Sequence, residues 1–307
     1  MPKRLLDCTV SDFEKMNKED LLFSIGASEG RALACETIGC VTPLLGDVTN
    51  AELAGALGAD ILLLNLFDVN APQIQGLPSV APEDVVREVK RLTGRPVGIN
   101  LEPVEQSFSD QVDTMWGRTT GRLATLENAK KAAGMGVDFI LLTGNPGTGV
   151  TNRAIIETLE LFHKHLGDRI VLAAGKMHTS GVLGEGGEKI LTKEEIKAFA
   201  GAGADVILLP APGTVPGITM EYAGELVACA HGLKKLAMTS IGTSQEGADV
   251  ETIRRIALMS KMAGADIHHL GDSGFTGIAA PENITAYSMV IKGVRHTYRR
   301  MAMSIKR

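Results

Sequence analysis

The stretch GADILLLN, residues 58–65, decides the fold because it recurs three more times along the chain. The copies are GVDFILLTGN at 136–145, GADVILLP at 203–210 and GADIHHLG at 264–271, spaced by 78, 67 and 61 residues. Each copy follows an alanine-rich helical pattern and precedes turn residues. The order of helix, glycine turn and apolar run predicts a buried parallel strand at every copy.

Four further apolar runs alternate with these copies. They are RALACETIG from 31, RPVGINLEP from 95, DRIVLAAGKMH from 168 and KKLAMTSIG from 234, and helical patterns fill the gaps. Eight apolar strands separated by helices form a parallel sheet that must be covered, and eight such units close most naturally into a barrel. The alternative is an open doubly wound sheet, but GCVTPLLGD after the first strand is not the dinucleotide fingerprint typical of that fold.

We expect a single domain over residues 1–307, since 44% hydrophobic residues suffice for one large core. Residues 1–30 are predicted to be a helical extension that plugs or flanks the barrel, with Ser11 and Glu14 as a capping box. The barrel spans 31–290, and a long helix covers 281–307. Five basic residues near its end are interpreted as complementing the helix dipole on a solvated face. They are Arg295, Arg299, Arg300, Lys306 and Arg307.

Composition excludes several classes of function. The net charge of −5, with 31 basic and 36 acidic residues, gives no polybasic field for nucleic acid or anionic lipid. No apolar run is long enough to span a membrane, and the N-terminus lacks the pattern of a signal peptide. The four cysteines form no CxxC pair, so we expect a reduced, cytoplasmic protein. Alanine-rich segments such as AELAGALGA from 51 leave room for a homo-oligomer.

Polar residues end most of the predicted strands, where a barrel of this type carries its reactive groups. Alternation predicts three inward-facing sets: Ala32, Ala34 and Glu36; Gly98, Asn100 and Glu102; Ala174, Lys176 and His178. Other strands end in Asn65, in Thr143 and Asn145, in Thr239 or Ser240, and before Asp272. A single polar residue at a strand end usually caps a loop. Six strands that end in polar residues at the same level predict a polar opening, or mouth, at this end of the barrel.

Lys176 ends an otherwise apolar strand, so desolvation would suit it to a Schiff base or to an anionic substrate. A lysine whose head reaches solvent at the rim is the alternative. Glu36 and Glu102 are expected to transfer protons, with His178, or to share Mg²⁺ as all-oxygen ligands. Pairing of one glutamate with Lys176 remains the competing interpretation.

The last strand carries His268 and His269, of which only one can face the barrel. The turn GDSGFTG after it is typical of a phosphate cradle, in which backbone N–H groups bind the anion. The predicted cradle contains Gly271, Asp272, Ser273 and Gly274, aided by Ser240, Gly242 and Thr243. Asn65, Asn100 and Asn145 are added as substrate ligands.

Two loops complete the predicted mouth. The connection EQSFSDQVDTMWGRTTG from 105 carries Arg118, which could clamp a phosphate or carboxylate, although an ordered structural loop is the alternative. The turn GNPGTGVTN from 144 also precedes a helix, but it lacks the lysine of a nucleotide P-loop. We find no nucleotide or flavin signature.

With eight units and two late glycine turns, residues 31–290 resemble the phosphate-binding group of α/β (β/α)8 TIM barrels. The chain, including RLLDCTVSDFEKMNKEDLL from 4, also resembles an uncharacterised bacterial family of predicted barrels labelled haloacid-dehalogenase-like hydrolase. The phosphatase motif of that superfamily needs two aspartates two residues apart after a strand. Here the residue two positions after Asp7 is Thr9 instead of an aspartate, so the resemblance implies a fold and no activity.

Two functions stay open at this point. The first is an enzyme that acts on a small phosphorylated or carboxylated metabolite by aldolase-type lyase or isomerase chemistry. The second is a barrel that binds such a metabolite without turnover, as a regulatory protein. Fold alone does not choose between them.

Overall fold

Eight parallel strands close into one barrel in chain order, as predicted. The structure is a computed structural model that describes residues 3–105, 119–144, 149–178 and 190–307. Each strand pairs with its sequence neighbours, and the eighth pairs with the first. The strands are β1 Ala32–Ile38, β2 Ile61–Asn65, β3 Val97–Leu101, β4 Phe139–Leu142, β5 Val171–Gly175, β6 Val206–Pro210, β7 Leu236–Ile241 and β8 Ile267–Leu270.

Helices surround the barrel and also precede it. In the described residues they are α1 Val10–Phe13, α2 Lys18–Gly26, α3 Asn50–Ala56, α4 Val85–Thr93, α5 Leu126–Met135, α6 Asn152–Leu166, α7 Lys193–Gly201, α8 Met220–Gly232, α9 Val250–Met262 and α10 Pro281–Ala302. Most begin at a threonine, asparagine or aspartate whose side chain accepts a backbone N–H of the first turn, which satisfies donors that the helix leaves free.

Strand alternation divides the core into two layers. One apolar cluster lies between strands and helices and contains, for example, Leu33, Leu62 and Leu172. The other fills the barrel and contains Ala34 and Leu63. Side chains therefore fill the barrel interior as a packed core, while the outward-facing side chains of the strands pack against the helices.

The repeated Gly-x-Asp places an aspartate directly before every even-numbered strand. We call Asp60, Asp138, Asp205 and Asp266 the strand-entry aspartates. Each donates its backbone N–H to a carbonyl at the start of the preceding odd-numbered strand (2.8–2.9 Å), and its carboxylate accepts the N–H of that same residue (2.8–2.9 Å). The preceding glycine has a φ of 92–109°, which favours glycine. The repeat is therefore a device that joins neighbouring strands at the base of the barrel.

Each strand-entry aspartate also has a cationic or histidine partner. Asp138 binds Lys90 (2.8 Å), Asp205 binds Lys18 (2.7 Å), and Asp266 lies 2.8 Å from the His231 ring. Asp60 is paired with two cations and is treated with the C-terminal helix below.

The N-terminal segment forms two short helices rather than one. The predicted capping box of Ser11 and Glu14 is wrong, because Thr9 and Asp12 form it two residues earlier. Phe13 of α1 and Leu21 of α2 pack with the interior apolar cluster and cover the base of the barrel. The extension therefore closes the end of the barrel opposite the mouth.

The long C-terminal helix is present, but its path bends at Gly293, where φ is 74° and ψ is 165°. The predicted solvated face is wrong for Arg300, which is buried and donates from Nε to Asp60 (2.8 Å). Lys292, also buried, binds the other oxygen of Asp60. Burial opposes ionisation of Asp60, but the charges of Lys292 and Arg300 hold its pKa below the ordinary value. The last helix is thus tied to the base of β2 by a buried ionic cluster.

Among the helices in the described parts of the chain, none combines the length and apolar character needed to cross a bilayer. The single-domain assignment over 1–307, the cytoplasmic location and the homo-oligomer stay predictions.

Candidate functional site

A polar cavity of about 350 Å³ opens at the carboxyl ends of the strands. It is lined by side chains from strand ends and by the loops that follow them. Those used below are Glu36, Asn65, Asn100, Glu102, Arg122, Thr143, Met177, His178, Glu246 and Asp272. Reactive groups of barrels of this type lie at this end. The cavity is therefore the candidate active site.

Glu36 comes from the middle of β1 and is buried, in phase with the inward-facing Ala34 as predicted. Its Oε2 lies 3.3 Å from Nε2 of His269, which is fully buried on β8. The opposite ring nitrogen, Nδ1, lies 2.7 Å from the hydroxyl of Ser240 on β7. Three strands thus hold one polar row beside the cavity, in which the histidine ring lies between the glutamate and the serine.

Asp272 follows β8 and is buried among other carboxylates. Its Oδ2 accepts from Asn65 Nδ2 (2.8 Å) and its Oδ1 from the N–H of Gly274 (2.8 Å). Burial, followed by the charge of Glu36, raises the pKa of Asp272 to about 7, even though the hydrogen bonds lower it. A carboxyl with this pKa exchanges its proton readily at neutral pH.

Glu246 is the second carboxyl that the environment perturbs. It lies in the loop after β7 and is buried, and its Oε1 accepts the N–H of Ser273 (3.0 Å). Burial raises the pKa of Glu246, and the charge of Glu36 raises it further. Glu36, Glu246 and Asp272, which we call the carboxylate trio, therefore sense one another's charge.

Glu102 lies across the cavity and is bound by Arg122 Nη2. The competing interpretation, pairing of one glutamate with Lys176, stays a prediction. In the described ranges, no three His, Cys, Asp or Glu side chains are grouped so that they could hold a metal ion. Sharing of Mg²⁺ by Glu36 and Glu102 stays a prediction.

The predicted inward face of β5 is wrong. Ala174 belongs to the outer apolar layer, whereas Val171 and Ala173 belong to the interior cluster together with Met177. Gly175 ends the strand against β6, where a Cβ would lie 2.0 Å from the carbonyl oxygen of Leu208. With two adjacent alanines, the sequence offered no contrast between the two faces.

The two predicted catalytic residues after β5 separate as a consequence. His178 lines the cavity, and burial lowers its pKa despite the opposing charge of Glu36. Lys176 is only 1% exposed and is not among the residues that line the cavity. Its role as a Schiff-base lysine stays a prediction.

The glycine turn of the predicted phosphate cradle does border the cavity, through Gly242, Gly271, Asp272 and Gly274. However, three of its N–H groups already have partners within the protein. Ser273 donates to Glu246, Gly274 donates to Asp272, and Gly271 donates to the carbonyl oxygen of Ile241 (2.9 Å).

The remaining predicted residues have varied positions. Ser240 is buried behind the cavity wall, and Thr243 bonds Gln245 rather than lining the cavity. Asn65 and Asn100 both line it and are joined by a 3.3 Å hydrogen bond. Asn145 and Arg118 lie outside the described residues.

His268 turns away from the barrel. Its ring lies 3.3 Å from Tyr287 Oη and 3.1 Å from the carbonyl oxygen of Gly30, and burial lowers its pKa to about 4. It is a packed histidine, as expected for one of the pair. The sequence analysis missed Glu246, whose only signal was an acid in a glycine- and serine-rich loop after a strand.

Solved structures similar to this chain are enzymes with the same barrel architecture. An archaeal fructose 1,6-bisphosphate aldolase is 13% identical, with a TM-score of 0.55 over 90% of this chain and 99% of the other. A Schiff-base-forming fructose-1,6-bisphosphate aldolase is also 13% identical, with a TM-score of 0.57 over 90% and 100%. A thiamine phosphate pyrophosphorylase from Pyrococcus furiosus is 11% identical, with a TM-score of 0.48 over 87% and 98%. At 13% identity, the similarity to the two aldolases establishes the fold alone.

No curated protein sequence matches the chain. Asp7, the residue nearest to a dehalogenase-type motif, lies in a 3₁₀ turn and binds Arg4 and Arg299 instead of following a strand. The residues at 6–307 match the family described as a domain of unknown function, DUF7916, and the chain therefore belongs to that family.

Proposed function

We propose that this barrel is an enzyme that transfers protons on a small polar metabolite, in a lyase or isomerase reaction at the carboxyl ends of its strands. The observation that carries the proposal is the carboxylate trio, which is buried beside one cavity and in which burial, together with the charge of Glu36, raises the pKa of Asp272 and of Glu246. Groups of one chemical type with different proton affinities are what acid–base catalysis requires.

The trio suggests a division of roles. Asp272, with a pKa of about 7, gives and takes the proton at neutral pH. Glu36 is the partner base, and the buried His269 beside it orients its carboxylate. Asn65 and Asn100 hold the substrate, because both side-chain amides line the cavity. They also hold the Asp272 side chain, since Asn65 donates to Asp272 and Asn100 donates to Asn65.

A test that needs no assumed product is deuterium exchange in D₂O. Carbonyl and hydroxycarbonyl metabolites are incubated with the protein, and loss of the C–H signal next to the carbonyl is followed by NMR. We expect Asp272→Asn to lower the exchange rate at least a hundredfold, since general acid–base groups contribute about 10²–10⁴-fold. The matched control is Asp47→Asn, an exposed residue in the loop after β1. Equal rates in the two variants would reject the role of Asp272.

Whether the reaction includes a Schiff base is a separate question, which borohydride trapping decides. An adduct at Lys176 would add a covalent intermediate to the proton transfer. If deuterium exchange depends on Asp272 and borohydride traps no adduct at Lys176, proton transfer without a covalent intermediate accounts for the reaction. Binding with no exchange for any substrate would favour the alternative of a non-catalytic barrel.

A further inference from the structure

Five residues other than glycine have a positive φ in the described part of the chain, and three of them lie at the mouth. Leu66 follows β2, Ser244 follows β7 and Ser273 follows β8, with φ of 54°, 67° and 57°. The other two, Glu29 and Lys234, lie at the base, after α2 and α8. Bulky side chains such as leucine rarely adopt this left-handed conformation, because it brings Cβ close to the backbone. Leu66 is therefore the position whose strain most needs a reason.

Leu66 lies where the chain turns from the cavity to the outer apolar layer. Asn65, the last residue of β2, pairs with Ile38 of β1 and lines the cavity. Phe67 and Val69 are buried in the apolar cluster between strands and helices. Leu66 itself is half-buried. Contacts on both sides of Leu66 thus hold the turn, and a strained backbone persists in a folded protein only where its surroundings fix it in this way.

The turn gives the N–H of Leu66 an acceptor in the side chain before it. This N–H donates to Oδ1 of Asn65 (2.9 Å), and Nδ2 of Asn65 donates to Oδ2 of Asp272 (2.8 Å). Because a backbone N–H can only donate, the amide atom that it meets must be the oxygen. The NH₂ group of Asn65 must then face Asp272. A second donor, Nδ2 of Asn100, lies 3.3 Å from the same oxygen and agrees with this orientation.

The orientation of the Asn65 amide affects the protonation of Asp272. Burial favours the protonated form of this carboxyl, and so do the charges of Glu36 from β1 and Glu246 from the loop after β7. The hydrogen bonds from Asn65 and from the N–H of Gly274 favour the ionised form. A reversed amide would present its oxygen to Asp272 and would favour the protonated form instead. Whatever fixes the amide therefore helps to set the proton affinity of Asp272.

We propose that Leu66 is a positioning residue, whose left-handed backbone holds its N–H on Asn65 and thereby orients the amide that donates to Asp272. The backbone conformation performs this role, and the leucine side chain is not required for it. The inference rests on the proposed function for the part that Asp272 plays in proton transfer. The orientation of the amide is a property of the protein without substrate.

Substitutions that change the backbone preference of residue 66 test the proposal. A β-branched side chain fits the left-handed conformation worst, and glycine fits it best. In protein labelled with ¹³C at the aspartate carboxyl groups, NMR follows the titration of Asp272, which is assigned by its loss in Asp272→Asn. We expect Leu66→Val to raise the midpoint by about 0.5–1 pH unit, the effect of one lost hydrogen bond. Leu66→Gly should keep the wild-type midpoint.

Lys234 supplies the matched control, because it is an exposed residue at the base of the barrel with a φ of 59°. Lys234→Val and Lys234→Gly impose the same backbone preferences there, and the midpoint of Asp272 should not change in either. An unchanged midpoint in Leu66→Val would overturn the proposal. Equal shifts in Leu66→Val and Leu66→Gly, or in Leu66→Val and Lys234→Val, would overturn it as well, since the left-handed backbone at residue 66 would then not be the cause.

If Leu66→Val does not fold, judged by circular dichroism, the hydrogen bond is tested from its other end. Asn65→Ala removes the acceptor, and we expect the N–H of Leu66 to exchange with solvent about tenfold faster than in the wild type. The midpoint of Asp272 should rise in the same variant. Exchange of the Leu66 N–H at the wild-type rate would overturn the proposal.

Failure of this proposal is distinguishable from failure of the proposed function, since the titration needs no substrate. A raised midpoint in Leu66→Val, with no deuterium exchange on any metabolite, would reject the enzyme and keep the positioning role. Asp272-dependent deuterium exchange with an unchanged midpoint in Leu66→Val would keep the enzyme and reject the positioning role.

Discussion

At the scale of single residues, environment separates side chains of one type into different roles. Asp60 and Asp272 are both buried aspartates, yet one lies between two cations and the other beside two carboxylates. The pKa of Asp60 is lowered, and that of Asp272 is raised to about 7. The first aspartate holds the fold together, and the second is suited to exchange protons.

The raised pKa of Asp272 predicts a pH dependence of stability. Between about pH 4 and pH 7, the native carboxyl retains a proton that the unfolded chain has released, so the free energy of unfolding falls as pH rises across this window. Asparagine has no such proton. We therefore expect wild type to lose on the order of 3 kcal/mol relative to Asp272→Asn between pH 4.5 and 7.5. Urea unfolding at both pH values measures this, and Asp47→Asn should keep the wild-type slope. Parallel pH profiles of wild type and Asp272→Asn would contradict the pKa assignment.

At the scale of elements, the strand-entry aspartates repeat one backbone contact with different partners. All four carboxylates accept an N–H at the start of the preceding strand. At Asp60 the cations are fully buried, whereas Lys90 beside Asp138 is 29% exposed. The contribution of each strand-entry aspartate to the free energy of unfolding should therefore depend on whether water can reach its cationic partner.

Asp60→Asn and Asp138→Asn form a matched pair that tests this dependence. Both variants keep an oxygen for the backbone N–H. Asp60→Asn leaves Lys292 and Arg300 buried without a counter-charge, so we expect a loss of about 3–5 kcal/mol. Asp138→Asn leaves a lysine that can turn to solvent, and the expected loss is about 1 kcal/mol or less. The free energy of unfolding in urea is the measurement, and equal losses would show that the backbone contact alone matters.

At the scale of the whole molecule, the contacts that close the base and the proposed site lie at opposite ends of the barrel. The base carries the strand-entry aspartates and the N-terminal helices, with Leu21 and Phe13 over the interior apolar cluster. The mouth carries the carboxylate trio and the polar cavity. Barrels of this type separate the two ends in the same way.

This separation predicts that damage to the base spares the mouth. Leu21→Ala removes a buried side chain next to a small apolar cavity, and we expect a loss of about 2–4 kcal/mol in the free energy of unfolding. The deuterium-exchange rate at 25 °C should stay within twofold of wild type, because the variant remains folded under these conditions. A large fall in exchange by a folded Leu21→Ala would show that the two ends are coupled.

Local patterns predicted the architecture because they are short-range. The glycine turn, the apolar run and the helix caps each lie within about ten residues, so the sequence alone determined eight strand–helix units and their closure into a barrel. Alternation also placed Glu36, Asn100 and Glu102 at the mouth, since their strands carry a contrast between small or apolar residues and polar ends, and Asn65 was placed there as the end of its strand.

The rest depended on contacts between distant parts of the chain. Lys292 and Arg300 reach Asp60 across 232 and 240 residues, and no local pattern distinguishes them from the solvated basic residues beside them. The inward face of β5 was decided by Gly175 against β6. The pKa of Asp272 is raised first by its burial and then by the charges of Glu36 and Glu246, which come from another strand and another loop. Charge, burial and pairing are properties of the assembled barrel, because they depend on which groups exclude water from one another.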